Sequence, residues 1–384
     1  AAQELKLKLL DSGLEPDGFE IPLRNMRAEA ALYRDENLAL LAAEMKMSTQ
    51  YDKIIGAQTV EWEGKEVTLP QLQPVFQDTD RERREEAWRL AAERQLWREM
   101  VNLRTQIATN AEMPTYYDYR WKQMLRFDYS PEDALTFQSA IEKAVVPAVA
   151  RLNEKRRKRL GLNELRPWDL EVNWFQQPPL RPFNHVSELE EKTHAIFRQV
   201  DPQLGEYFGR MREEKLLDLE NRKGKAPGGY CTDFPVIRKP FIFMNAVGIH
   251  EDVLTLLHEG GHAFHVFESA HLPYYAQLQV GMEFAEVASM SMELLAAPYL
   301  TQEAGGFYSP KEAARSRIEH LESILRFWPY MAVVDAFQYW TYHHPEEAGD
   351  AQRCDAVWAS LWDRFMAGVD WSGLEEEKMT GWQR

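Results

Sequence analysis

The chain has 384 residues, with 45 Lys and Arg against 61 Asp and Glu, so its formal charge is −16. That acidic balance argues against a general nucleic-acid binder, and two cysteines exclude both a disulfide framework and a Cys-rich zinc module while fitting a reducing cytosol. Twelve Trp, 15 Tyr and 18 Phe supply apolar material for a large core, in one large domain or two to three ordinary ones.

The first residues, AAQELKLKLL, hold no apolar signal core and no initiator Met, a first hint that the chain is a piece of something longer. There is no repeat, low-complexity tract or Gly/Ser linker. Residues 59–69 (TVEWEGKEVTL) alternate around Gly64 and read as a hairpin. Residues 81–111 mix charges with Trp88, Leu90, Leu96, Trp97 and Met100 at helical spacing. Tyr116, Tyr117, Tyr119 and Trp121 read as core aromatics rather than as a ligand-stacking platform. Ser130-Pro131-Glu132-Asp133 is a helix start, with Ser as cap, Pro in the first turn and acids at the positive end. That helix should run to Arg159, kink at Pro147 and stop at Gly161, and its basic run Lys155–Arg159 suits a helix C-terminus better than a nucleic-acid patch. Residues 186–217, 309–345 and 349–368 also read as helices, and Gly229–Thr232 and Phe241–Asn245 as short strands. The longest apolar runs, 144–150 and 241–249, are interrupted by Pro147 and Asn245 and are too short for a bilayer. The expectation is a mainly α protein with a small β-sheet, with no membrane and no nucleic acid among its partners.

Residues 252–269 (DVLTLLHEGGHAFHVFES) contain His258-Glu259-Gly260-Gly261-His262, an H-E-x-x-H. Four residues on a helix turn about 400°, so both imidazoles leave one face about one turn apart. Two neutral histidine nitrogens can then reach one Zn²⁺ at about 2.0–2.1 Å. Glu259 can point at the open position of the metal and take a proton from water there. The bland alternative is a soluble helix that happens to carry two histidines. Against it stand Leu254, Leu256, Leu257, Ala263, Phe264, Val266 and Phe267, among which His and Glu need partners. Gly260-Gly261 in mid-helix costs about 1 kcal/mol per residue relative to Ala, which points to a close approach of substrate or of another backbone.

A hydrolytic zinc site needs a third protein ligand. Residues 281–300 (GMEFAEVASMSMELLAAPYL) read as a second helix that offers Glu283, Glu286 and Glu293. Glu286 and Glu293, seven apart, share a face, and Glu283 is partly on it, so helical phase leaves the choice open. An ionised Glu among Phe284, Val287, Met290, Met292, Leu294 and Leu295 is expensive unless a cation is present, either zinc or the Arg or Lys of an ion pair.

HEGGHAFH followed by FAEVASMSMELL, with GKAPGGYC (Gly224–Cys231) and FIFMNAVG (Phe241–Gly248) upstream, resembles the thimet oligopeptidase / oligoendopeptidase F family of zinc metallopeptidases, most of all its bacterial oligoendopeptidase F and Pz-peptidase branch. The resemblance covers nearly the whole chain and is strongest over 224–300. It implies an elongated helical zincin-like fold, with a small β-sheet beside the metal helix and a deep substrate channel that admits short unstructured peptides. It implies one Zn²⁺ per chain held by His258, His262 and Glu286, with Glu259 as general base and His265 and Glu293 orienting the ligands from behind. Residues 1–204 are then a helical channel-wall region and 205–384 a zinc-binding catalytic region, together one continuous catalytic unit incomplete at both ends. An edge strand beside the metal helix, Phe241–Val247, is expected to pair with extended substrate through Met244, Asn245 and Ala246, and Gly228, Gly229 and Tyr230 to line the same cleft. The implied function is that of a cytoplasmic zinc-dependent endopeptidase that cuts internal bonds of short peptides.

The sequence departs from the family at one point. The Tyr and His residues that stabilise the oxyanion there lie beyond a stretch like Asp370–Leu374 and Thr380–Arg384, and Tyr330, Tyr339, Tyr342, His343 and His344 come too early to match. The chain therefore reads as the central part of a longer enzyme, whose remainder is a separate partner chain, a segment not seen here, or absent. Two rival readings follow: a non-catalytic peptide-binding fragment that keeps zinc, and a zinc carboxypeptidase of similar helical architecture.

Overall fold

The computed structural model describes residues 2–90, 98–226 and 228–383. Most of them are helical, and no helix among them is long and apolar enough to cross a membrane. The hairpin forms as β1 (Thr59–Trp62) and β2 (Lys65–Thr68), with Glu63 and Gly64 both at positive φ in the turn. Helices Arg81–Leu90 and Arg98–Asn110 follow; Leu96 and Trp97 lie outside the described residues. The Ser130 side chain accepts from the Asp133 N–H, and the Asp133 carboxylate accepts from the Ser130 N–H at 2.8 Å, so the helix start is capped in both directions. Gly161 closes that helical stretch in the left-handed conformation, φ 70°.

Two expectations are modified. The kink near Pro147 is a π-turn over Ile141–Val145: the proline has no N–H to give to the turn before it, and the wider turn lets the ladder resume over Val146–Leu160. The helix read over 186–217 is two helices, Val186–Val200 and Pro202–Glu213. Pro202 forces the preceding residue out of helical geometry, and Asp201 then caps the second helix through the Gln203 N–H at 2.7 Å. An unanticipated strand, β3 (Leu217–Glu220), follows.

The chain divides into two units. One takes Ala1–Tyr51, Ala92–Leu170 and Ser323–Arg384. It is helical, with one core around Phe337, Trp358 and Phe365 and another around Tyr116, Tyr117, Tyr119, Trp121 and Tyr342. All four aromatics of 116–121 are buried there, as core residues should be.

The other unit takes Asp52–Ala91 and Glu171–Glu322 and carries the H-E-x-x-H segment. Its sheet has the order β3-β5-β4, where β4 is Tyr230–Phe234 and β5 is Lys239–Ala246; β3 runs parallel to β5 and β4 antiparallel. Side chains alternate along β5, so Ile242, Met244 and Ala246 turn inward. They share one core with Val253, Leu256 and Leu257 of helix His250–Ser269, and with Leu189, Ile196 and Phe197 of helix Val186–Val200. Phe197 and Phe264 meet edge to face with ring centroids 4.7 Å apart.

The GKAPGG segment is stitched to this sheet by polar groups. The buried Lys225 ammonium donates to the carbonyls of Asp218 and Glu220, both at 2.9 Å, and to that of Met244, and pairs with the Asp218 carboxylate at 3.1 Å. The Asn245 amide donates to the carbonyls of Ala226 at 2.8 Å and Gly228 at 2.9 Å. Arg222, then Lys225, hold the Asp218 carboxyl at a pKa of about 2. A carboxyl depressed in the folded state contributes stability that is complete above its unfolded value of about 4 and is lost as pH falls toward 2. Asp218→Asn should therefore flatten that part of the acid limb, which urea unfolding across pH about 2–5 would measure.

Candidate metal centre

Helix His250–Ser269 begins where the chain leaves β5. The Asp252 carboxylate accepts from the N–H groups of Val247, Gly248 and Ile249 at 2.9, 2.7 and 2.9 Å, which satisfies donors at the turn into the helix. Gly248, at φ 90°, permits that turn. From this fixed start His258 and His262 come out one turn apart, with rings 5.0 Å apart and inclined at 80°.

The glycine pair has a packing reason. A Cβ on Gly261 would lie 2.6 Å from Ser289 Cα and 2.8 Å from the Ala288 carbonyl oxygen, and one on Gly260 would strike the Phe197 ring at 2.5 Å. Ser289 belongs to helix Met282–Ala296, so the missing side chain lets the two helices touch backbone to backbone. That contact sets Glu286 opposite the histidines. Its Oε2 is 3.2 Å from His258 Nε2, and its Oε1 is 3.6 Å from His262 Nε2. One ligand atom from each of the three residues lies within 4.8 Å of the others. A tetrahedral ion at about 2.0–2.1 Å spaces its donors about 3.4 Å apart, so the set fits a single zinc-sized ion. The Ser289 hydroxyl donates to Glu286 Oε2 at 3.0 Å and steadies it.

Glu293 stands behind His258. Its Oε1 accepts from His258 Nδ1 at 2.7 Å, and its Oε2 accepts from His320 Nε2 at 2.7 Å. A carboxylate only accepts, so the proton of neutral His258 sits on Nδ1 and the Nε2 lone pair faces Glu286. Burial pushes the Glu293 carboxyl up, but the two imidazole hydrogen bonds outweigh it and hold the group ionised, below the usual range. Burial also lowers His258, yet its bond to Glu293 and the charges of Glu293, Glu259 and Glu286 leave it raised. Burial lowers His262, which favours the neutral ring and a free lone pair. His320 comes from helix Pro310–His343 and is buried. Sequence reading missed it: an isolated His, 27 residues from its partner, gives no spacing signal.

Glu259 is buried, and burial, aided by Glu286, raises its carboxyl against the pull of His258 and of the Cys231 N–H. Its Oε2 has no hydrogen-bond partner. It lines a cavity of about 470 Å³ with His258, His262, His265 and Glu286 on the helical side and Gly229, Tyr230 and Cys231 on the β4 side. His265 also lines this cavity, and among the described residues it makes no hydrogen bond to the His258, His262 or Glu286 side chain.

The expected substrate strand needs correction. β5 lies between β3 and β4, so it is the central strand and β4 is the free edge beside Glu259. Met244 and Ala246 point into the core, Asn245 is occupied in tethering Ala226 and Gly228, and none of the three lines the cavity. Gly229 and Tyr230 do line it; Gly228, at φ 85°, does not. Alternation identified β5 as a strand, but only pairing tells a central strand from an edge. The helix Met282–Ala296 also differs from expectation: it buries Ser289, Met292 and Ala296, while Phe284, Val287, Leu294 and Leu295 are exposed.

A histidine-pair helix, a second helix that brings a carboxylate to the same point, and a small sheet alongside together define a helical zincin-like metallopeptidase fold. The chain superposes on Pz peptidase A with inhibitor 2 at a TM-score of 0.92 and 29% identity, over 100% of this chain and 69% of that one. The chain belongs to peptidase family M3, whose profile matches residues 75–381. Group B oligopeptidase PepB of Streptococcus agalactiae is 25% identical over 190 residues, 49% of this chain and 31% of the relative. Oligopeptidase PepF of Bacillus subtilis is 30% identical over 161 residues, 40% of this chain and 23% of the relative. The matched stretch thus spans about a third or less of these curated relatives.

Glu293→Ala should weaken divalent-metal affinity about 10- to 100-fold, measured by competition with a chromophoric chelator. Gly261→Ala should force the two helices apart, lowering stability by about 1–3 kcal/mol and the thermal midpoint by several degrees, as differential scanning calorimetry would record.

Proposed function

We propose that this chain carries the catalytic centre of a zinc-dependent endopeptidase that cuts internal bonds of short, unstructured peptides. The observation that carries this reading is Glu259, a buried carboxylate that lines a cavity beside two imidazoles and a carboxylate at single-ion spacing. The names of the relatives, oligopeptidases, supply the substrate class. His258, His262 and Glu286 would hold one Zn²⁺, a donor set of two neutral nitrogens and one oxygen that suits this metal. When bound, the ion supplies Lewis-acid chemistry: it polarises the scissile carbonyl and acidifies water.

The remaining work falls to the protein. Glu259, which lines the cavity, takes the proton of the attacking water and passes it to the leaving nitrogen. Burial makes its ionised form a better base than an exposed glutamate, and the Cys231 N–H aims it. Glu293 and His320 fix the His258 ring so that its lone pair meets the metal without a search. The free edge of β4, Tyr230–Phe234, offers backbone groups to an extended peptide, a mode that folded chains cannot use. Cys231 and Cys354 are both unpaired thiols, which suits work in the cytoplasm.

Glu259→Gln should retain zinc and lose turnover of a quenched fluorescent peptide by about 10²–10⁴-fold. Glu286→Ala should lose zinc, whereas Glu283→Ala should keep it. Chelation should abolish cleavage and zinc restore it. Mass mapping of the fragments of a short peptide reads the mode: internal cuts fit the proposal, and release of terminal residues alone overturns it.

A further inference from the structure

Among the described residues, one Lys or Arg side chain faces this acidic cavity. Arg238 ends the turn between β4 and β5, and its side chain lines the same cavity as Glu259 and Glu286. Its Nη1 is shut off from solvent and has no hydrogen-bond partner. Asp233 also lines the cavity, yet no carboxylate among the described residues forms an ion pair with Arg238. The other ionisable side chains along that wall are carboxylates, imidazoles, the Cys231 thiol and the Tyr230 phenol.

The backbone at this position sharpens the question. Arg238 sits at φ 56°, in the left-handed region where Gly or Asn is favoured. The turn itself therefore gives no reason for an arginine. Arg238 as a whole is only part-buried, so a turn of its side chain can bring that nitrogen to a ligand and remove the cost of burying it without an acceptor. The planar fork of the group matches a carboxylate with two parallel hydrogen bonds. The field around it favours no anion, since the whole chain carries −16 and Glu259, Glu286 and Asp233 share the wall. Apart from any ion held by His258, His262 and Glu286, Arg238 is what that wall offers to retain an acidic peptide.

We propose that Arg238 is a specificity-determining residue that binds a carboxylate of the peptide, either an Asp or Glu side chain or the free chain terminus. This rests on the peptidase reading of the same cavity. Both sources present the same chemistry to the guanidinium, and added salt should weaken either contact.

Four labelled decapeptides test it: Glu or Gln beside the cleaved bond, each with a free or an amidated C-terminus. Their affinity for zinc-loaded Glu259→Gln protein is measured by fluorescence anisotropy, with and without Arg238→Gln. With Arg238 present, one carboxylate form should bind about tenfold tighter than its amide counterpart, and Arg238→Gln should bring that ratio close to one. The arm that responds names the source. Arg238→Lys, which keeps the charge without the fork, should retain a smaller preference, and it supplies the comparison should Arg238→Gln fold poorly. The proposal is overturned if no arm shows a preference, or if the preference survives Arg238→Gln. Turnover of the neutral, amidated peptide by the unsubstituted chain reports on the peptidase assignment separately, so either conclusion can fall alone.

Discussion

The centre depends on how closely two helices can lie. Two histidines one turn apart on a helix face the same way wherever that helix goes, but a carboxylate from another helix reaches them only if the backbones nearly touch. Gly261 against Ser289 provides that contact, and Gly260 does the same toward Phe197 on the other side. The helix accepts two residues of poor helical propensity in exchange for a fixed distance. Everything downstream inherits that distance: the 3.2 and 3.6 Å separations at Glu286, the Ser289 hydrogen bond to the same carboxylate, and the cavity that Glu259 faces.

Charge is the second constraint. Glu259, Glu286 and Glu293 lie on neighbouring turns of two helices, and three carboxylates so near one another would repel if nothing offset them. The structure separates their environments. Glu293 is satisfied by two imidazoles and stays ionised. Glu286 meets two imidazole nitrogens in a geometry that a divalent cation completes. Glu259 keeps one oxygen unpartnered, and its proton affinity is raised by burial. Three chemically identical groups thereby meet three environments: one is satisfied by two imidazoles, one stands beside two imidazole nitrogens, and one is buried with an oxygen unpartnered. The neighbourhood, not the residue type, sets them apart.

The sheet gives the site its other wall. β5 serves as the internal spine, pinned by Lys225 and Asn245, and this rigidity is what presents β4 as an edge next to Glu259. The hairpin that joins the two strands carries Arg238 to the same cavity. A short strand pair thus brings both an edge strand and a guanidinium to the same cavity.

Much of this was legible in the residues. The H-E-x-x-H helix, the two helices after it, the strands around residues 230 and 243, the Ser130 cap and the Gly161 stop all follow from periodicity, capping chemistry and glycine placement, which are local properties. The glycine pair even announced a close approach. What the sequence could not decide is what lay across space: which of Glu283, Glu286 and Glu293 meets the histidines, that the glycines face Ser289 and Phe197, that His320 holds Glu293, and that β4 rather than β5 is the edge. Helical phase and strand alternation repeat every few residues and carry no information about partners 25 or 60 positions away. Those choices belong to packing, because only the folded core fixes which faces meet.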